Sequence, residues 1–127
     1  MKKLSKQMMS NLIVTAVEGG SNYWYLFDKE ATKQVRKYKG VKHETNEYNT
    51  FSEAILVALD KGESILVSDI ESEEILGVLT KKGIYKATEL LHDNYPSVYG
   101  NIITDNWDMN DADAWFQLAV MGEVKFG

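Results

Sequence analysis

Near the C-terminus, Ala112, Trp115, Phe116, Ala119 and Val120 recur at positions i, i+3, i+4, i+7 and i+8, and Gly122 follows them. That spacing puts all five on one face of a helix. A glycine just past the last turn is the residue that most readily ends one. So wide an apolar face, with a tryptophan in it, has to be covered by other elements. The segment therefore reads as a helix over 111–121 at the centre of a core. Asn110 reads as its N-cap, with Asp111 and Asp113 in the first turn against the positive end of the helix dipole.

A second stripe lies near the other end. Met9, Leu12, Ile13 and Ala16 share one face of a helix over 5–18, and Gly19-Gly20 reads as its C-cap. The β-branched content of Leu12-Ile13-Val14 is also compatible with a strand. Two helices with matching stripes, each ending in glycine, can share one core. At 127 residues the chain fits a single domain that buries roughly two thirds of its unfolded surface.

Between these ends the pattern alternates. Asn22 to Phe27 reads as an aromatic strand, and 34–43, with Val35, Tyr38 and Val41, as another. Thr50 and Glu53 make a capping box for a helix to Lys61 that stops at Gly62. The strands 64–68 and 74–79 flank an acidic turn and read as a hairpin. Thr80 caps a helix through Leu91 that turns Ile84, Ala87, Leu90 and Leu91 inward. Pro96 opens a short helix ending near Ile103, and Val124 to Phe126 can add an edge strand. The expectation is an α+β fold, a small antiparallel sheet with about five helices packed on it in one domain. An edge strand at Glu123 to Gly127 would invite pairing with a second copy, so a homo-oligomer is expected.

Composition excludes several functions. There is no cysteine, which removes disulfides, thiolate metal sites and cysteine nucleophiles and suits a reducing compartment. No apolar run approaches the roughly 20 residues of a membrane span. Lys2 and Lys3 lead into Ser5, Lys6 and Gln7 rather than an apolar stretch, so no secretion signal is read. The net charge of −5 argues against broad contact with nucleic-acid backbones. Yet Lys29, Lys33, Arg36, Lys37, Lys39 and Lys42 cluster. They read either as a solvated edge or as a strand facing phosphate or a nucleotide.

No motif spells a reaction. The run from Asp105 to Asp113 offers oxygens at alternate positions, as a calcium loop does. Counted from Asn106, however, the sixth position is Asp111 where the turn needs glycine, and the twelfth is Gln117 instead of a bidentate glutamate. His43 and His92 each lack a second histidine at metal spacing, so no metal is expected. Gly19-Gly20 fits no phosphate loop, and Gly20-Ser21 no nucleophile elbow. Neither a catalytic residue nor a cofactor is assigned. Trp107, in a polar loop, reads as a plug over the core or an exposed anchor.

Polar residues beside the end stripes need a different account. Thr15-Ala16-Val17-Glu18-Gly19-Gly20 with Tyr23-Trp24, and Asp111-Ala112-Asp113 with Gln117-Leu118-Ala119 and Gly122-Glu123, together resemble a group of small phage-encoded proteins. Members of that group begin with a T-A-x-E-G-G-x-x-Y-W stretch and finish with A-D-x-x-x-Q-L-A-x-x-G-E and a last glycine, here Gly127. The likeness covers both ends of the chain and leaves out its middle. It implies a phage or prophage context, and it implies that Glu18, Gly19, Gly20, Tyr23, Trp24, Asp113, Gln117, Gly122 and Glu123 form the group's common feature.

The expected function is that of a phage accessory binding protein in the cytoplasm of the bacterial host. It would sequester or block a host protein or small molecule through Glu18, Asn22, Trp24, Asp113 and Gln117. Trp24 would offer planar contact area, Asn22 and Gln117 orienting hydrogen bonds, and Glu18 and Asp113 acceptors. Two other classes remain. One is a small enzyme acting on a nucleotide, with Glu18 and Asp113 as acid/base groups. The other is a mildly acidic nucleic-acid mimic or a virion structural component.

Overall fold

Ser5 accepts a hydrogen bond from the Met8 amide and opens helix α1, Lys6–Thr15. Its buried face carries Met9, Leu12 and Ile13. The chain then winds more widely through a π turn, Ala16–Gly20, closed by the Ser21 amide on the Ala16 carbonyl at 2.8 Å. Gly19 and Gly20 therefore lie inside the turn and do not form the left-handed cap expected of them. Their smallness serves a close approach. A Cβ on Gly20 would stand 2.8 Å from the backbone oxygen of Met109.

The computed structural model describes residues 1–127. After the π turn come β1 (Tyr25–Leu26), α2 (Lys29–Arg36), α3 (Phe51–Asp60), β2 (Ile65–Asp69), β3 (Ile75–Leu79), α4 (Lys81–Asn94), α5 (Pro96–Ile103) and α6 (Met109–Met121). The strands form one antiparallel sheet in the order β1-β2-β3. The fold is α+β, with six helices where about five were expected.

The extra helix is α2, and it replaces the strand expected over 34–43. Asp28 caps it by accepting from the Ala31 amide at 2.8 Å. Ala31 and Val35, one turn apart, are its buried residues, and Lys29, Lys33 and Arg36 point away from the core. Tyr38 and Val41 lie beyond the helix in turn and loop. The Asn22–Phe27 strand shrinks to Tyr25–Leu26, because residues 21–24 turn, with the Trp24 amide on the Ser21 carbonyl at 3.1 Å. Side chains there do not alternate between faces as a strand requires.

Other boundaries follow their caps. The Thr50–Glu53 capping box starts α3, and Gly62 follows it at φ +88°. Thr80 caps α4 by accepting from the Gly83 amide, and Pro96 sits at the start of α5. The hairpin of β2 and β3 turns through residues 70–74, which carry Glu71, Glu73 and Glu74, with a bulge between Val67 and Ser68. Leu90 is only partly covered, while Thr88 takes a buried place on α4.

Helix α6 is the axis of the molecule. It packs on α1, the π turn, α4, α5 and β3, and Trp115 and Phe116 are fully buried. Its N-cap is Asp108, which accepts from the amides of Asn110 and Asp111, so Asn110 does not cap it. Asp108 wins because Asp111 stands three residues on and returns the bond, making a second capping box. Gly122 ends the helix at φ +77°, the left-handed cap expected there. Neighbours close in on its last turns through two further glycines. A Cβ on Gly77 would lie 2.2 Å from the Val120 carbonyl oxygen, and one on Gly83 would lie 2.9 Å from that of Ala119. No helix is long and apolar enough to cross a membrane.

Candidate functional site

The two end motifs meet on α6, where Ser21, Tyr23, Trp24 and Gln117 converge on one buried carboxylate. Asp113 Oδ1 accepts from Ser21 Oγ at 2.7 Å and from Trp24 Nε1 at 2.8 Å. Oδ2 accepts from the Tyr23 hydroxyl at 2.5 Å and from Gln117 Nε2 at 3.0 Å. All four donors are neutral side chains. Ser21, Tyr23 and Trp24 bring the turn after the π segment down onto α6 and hold it there.

Gln117 extends the network to the C-terminal tail. Its Oε1 accepts from the amides of Lys125 at 2.8 Å and Phe126 at 2.9 Å, and its Nε2 donates to the Phe126 carbonyl at 3.1 Å. A single buried amide thus presents the pattern of a neighbouring strand. This is why Val124–Phe126 runs beside the core without joining the sheet as an edge strand. The amides of Lys125 and Phe126 are thus both taken within the chain. Phe126 is pressed on Trp24, with ring centres 5.5 Å apart and planes 14° from parallel, and Phe116 closes on Trp24 at 5.7 Å.

Of the five residues expected to bind, three therefore face inward. Trp24, Asp113 and Gln117 are 2%, 7% and 1% exposed, and the side-chain oxygens of Asp113 and Gln117 are engaged within the chain. Trp24 has no face free for a ligand. Asp113 also misses the first-turn position expected of it, since α6 begins at Met109 and only Asp111 is the acidic residue of its first turn. Glu18 is exposed and forms no side-chain hydrogen bond, so it is no acid/base partner bonded to Asp113. Asn22 is exposed as well and lies on the rim of a different feature.

That feature is an open cleft of about 540 Å³ between β1, α2 and α3. Tyr25, Leu26, Phe27, Phe51 and Ile70 form its apolar wall, and Asn22, Thr32 and Arg36 its polar edge. The aromatic rings brace one another edge to face, Tyr25 on Phe27 at 5.1 Å, with Phe51 at 6.5 Å from Phe27. Local sequence sets this arrangement. Phe27 immediately precedes the cap of α2 and Phe51 immediately follows the cap of α3, so each ring is fixed at a helix start. The Thr32 hydroxyl ties the first turn of α2 to the Phe27 carbonyl at 3.3 Å. Arg36 takes part in none of the ion pairs of the chain, which engage Lys6, Lys37, Lys81, Lys86 and both histidines.

Of the residues expected to bind, only Asn22 lines this cleft; its aromatic wall, Thr32 and Arg36 stood outside that set. An aromatic beside each of two helix caps was the signal available. No protein-family model, curated protein or solved structure matches the chain.

The acidic residues of 105–113 are turned to the chain itself. Asp105 accepts from Trp107 Nε1 at 3.2 Å, and Asp108 and Asp111 form the capping box. Trp107 is partly buried against the core, as a plug.

Two tyrosines report on the site. Tyr23 is pushed up to about 12 by burial of its hydroxyl and by its bond to Asp113. Tyr25 is pushed up to about 12 by burial first and then by the charge of Glu18, and its hydroxyl donates to the Val17 carbonyl at 2.6 Å. A phenol whose pKa is raised by folding contributes stability that is fully present below its ordinary value near 10. That contribution is lost as pH climbs through about 12. Phenolate absorbance of the folded chain should show Tyr23 and Tyr25 ionising late among the seven tyrosines. Each of Tyr23→Phe and Tyr25→Phe should remove one late step. Seven phenols ionising together near pH 10 would show these hydroxyls to be free.

Proposed function

We propose that this protein is a non-enzymatic binding protein, a phage accessory factor that sequesters or blocks a host protein or small molecule in the host cytoplasm. The aromatic cleft is its binding surface. One observation carries the reading: a half-buried aromatic wall stands beside an exposed guanidinium with no carboxylate partner, whereas Trp24, Asp113 and Gln117 of the end motifs are spent on one another and on the chain's own backbone. A cleft of this kind suits a flat or apolar group bearing a carboxylate or another anionic acceptor. The ring would lie against Phe27 and Phe51, and Arg36 would meet the anion with its planar fork of donors. Asn22 and Thr32 add hydrogen-bonding groups on the edge. Glu18 then belongs to the exposed surface near Tyr25.

The test uses a small probe of that chemistry, benzoate, titrated into the isotope-labelled chain. Amide shifts should concentrate at Asn22, Leu26, Thr32 and Arg36. Arg36→Ala should weaken binding about tenfold, the equivalent of losing one charge-assisted contact of about 1.4 kcal/mol. Because Arg36 is exposed, its replacement should leave the fold intact. Equal affinity in wild type and Arg36→Ala would overturn the assignment of this cleft, as would shifts located elsewhere.

A further inference from the structure

A second cleft, of about 520 Å³, lies on another part of the surface and has no apolar residue in its wall. It forms where the start of α1, the end of α3, the start of α4 and the loop between α2 and α3 come together. The loop is held in shape from within. The Gly40 amide donates to the Asn49 carbonyl at 2.9 Å, the His43 amide to the Asn46 carbonyl at 2.9 Å, and Asn49 Nδ2 to the Val41 carbonyl. Gly40 makes the turn at φ +80°.

Asp60 organises the floor. Its Oδ2 meets His43 Nε2 at 2.7 Å and Lys6 Nζ at 3.4 Å, and its Oδ1 meets Lys81 Nζ at 3.4 Å. Burial opposes its ionisation, but the His43 hydrogen bond and the two lysines outweigh burial and hold the carboxyl below its usual range. The His43 ring is 7% exposed, and Thr45 Oγ1 lies 3.1 Å from its Nδ1, so both ring nitrogens are engaged. Glu44 binds Lys6 at 3.3 Å.

Charge in this cleft does not balance. Lys6, Lys42, Lys61 and Lys81 face only Glu44 and Asp60. Lys42 and Lys61 take part in no ion pair, which leaves an excess of two positive charges on a chain whose net charge is −5. The N-terminal end of α4 adds to that excess, since its first turn has no acidic residue. Neutral scaffolding does not require two unpaired ammonium groups to share one concave wall with two paired ones. A compact polyanion would satisfy them.

We propose that this cleft binds the phosphate groups of a small molecule carrying a diphosphate or triphosphate. Lys42 and Lys61 supply the direct contacts, and Asp60 with His43 positions Lys6 and Lys81 at the back. An extended nucleic acid is a poorer fit, because the acidic surface of the rest of the chain would repel the flanking phosphates. The site is separate from the aromatic cleft, so either assignment can fail without the other.

Inorganic pyrophosphate is the probe. Titration of the labelled chain should shift the amides of residues 42–44, 60–62 and 80–82 and saturate with a Kd on the order of 1 mM or tighter. Sodium chloride at matched ionic strength should not reproduce those shifts. The double variant Lys42→Gln, Lys61→Gln should bind at least about tenfold more weakly and melt at an unchanged temperature, because both side chains are exposed. Shifts that fail to saturate, that chloride reproduces, or that persist unchanged in the double variant would each overturn the proposal. A double variant that loses stability would do so too, since it would give the two lysines a structural role.

Discussion

Replacing Asp113 by alanine is expected to remove roughly 4 kcal/mol of stability. The carboxylate accepts from Ser21, Tyr23, Trp24 and Gln117. Its loss leaves the Ser21 hydroxyl and the Trp24 indole N–H without a partner in surroundings that are 0% and 2% exposed. Each stranded buried donor costs about 1–3 kcal/mol, and water reaches neither side chain without opening the turn. Since a domain of this size has about 5–15 kcal/mol in total, the variant should sit close to unfolding at physiological temperature. Asp113→Asn should fall between. It keeps one acceptor for Ser21 and Trp24 but sets an amide N–H against the donating Nε2 of Gln117. Urea denaturation of the three proteins checks the order. An alanine variant within 1 kcal/mol of wild type would mean that the donors find water, and that the network contributes little.

This network changes what the end motifs mean. Glu18, Gly20, Asp113 and Gln117 stand out in the sequence because polar residues and paired glycines are hard to explain beside apolar stripes. A binding site is one explanation, and buried polar satisfaction is the other. Both demand a particular hydrogen-bonding group at a particular position, so residue identity alone does not separate them. Distance does. Ser21 to Asp113 spans 92 positions in sequence and 2.7 Å in space, and no local pattern announces that the two meet. Gly20 is the same case, its missing side chain explained by a Met109 carbonyl far along the chain.

Local signals carry much of the fold. Helix α6 declares itself by spacing, α3 and α4 by Thr50 and Thr80, and the β2–β3 hairpin by its acidic turn. Each rests on interactions within a few residues. The failures have physical causes of the same kind. Lysines and an arginine hid α2, because a helix with only Ala31 and Val35 on its buried side has a stripe of two residues, too narrow to see beside β-branched Val35 and Val41. The aromatic run 22–27 suggested a strand by propensity, but the pull of Asp113 on Tyr23 and Trp24 folds its first residues into a turn and leaves only Tyr25–Leu26 as strand. Strand propensity there loses to tertiary hydrogen bonds. The clefts were less legible still. Arg36 and Lys42 stood in the basic segment, which read as one edge or one strand. The fold divides it, sending Arg36 to an aromatic wall and Lys42 to a cleft around Asp60.

The second large effect belongs to Trp115, the largest side chain in the apolar stripe of α6. Trp115→Ala should cost about 3–5 kcal/mol, the range for deleting a buried large aromatic. The side chain is 0% exposed, and its helix packs on α4, α1 and β3, so no single neighbour can move to fill the space. Its indole N–H also donates to Thr88 Oγ1 at 3.3 Å, and Thr88 is itself buried on α4. Alanine therefore leaves a cavity and an orphaned hydroxyl together. Trp115→Phe separates the two contributions, since it keeps most of the volume and gives up the bond. It should retain more than half of the stability that alanine loses. Were Trp115→Ala to lose less than 1 kcal/mol in the same denaturant titration, the helix would have to present a different face to the core. The packing of both end motifs on α6 would fall with it.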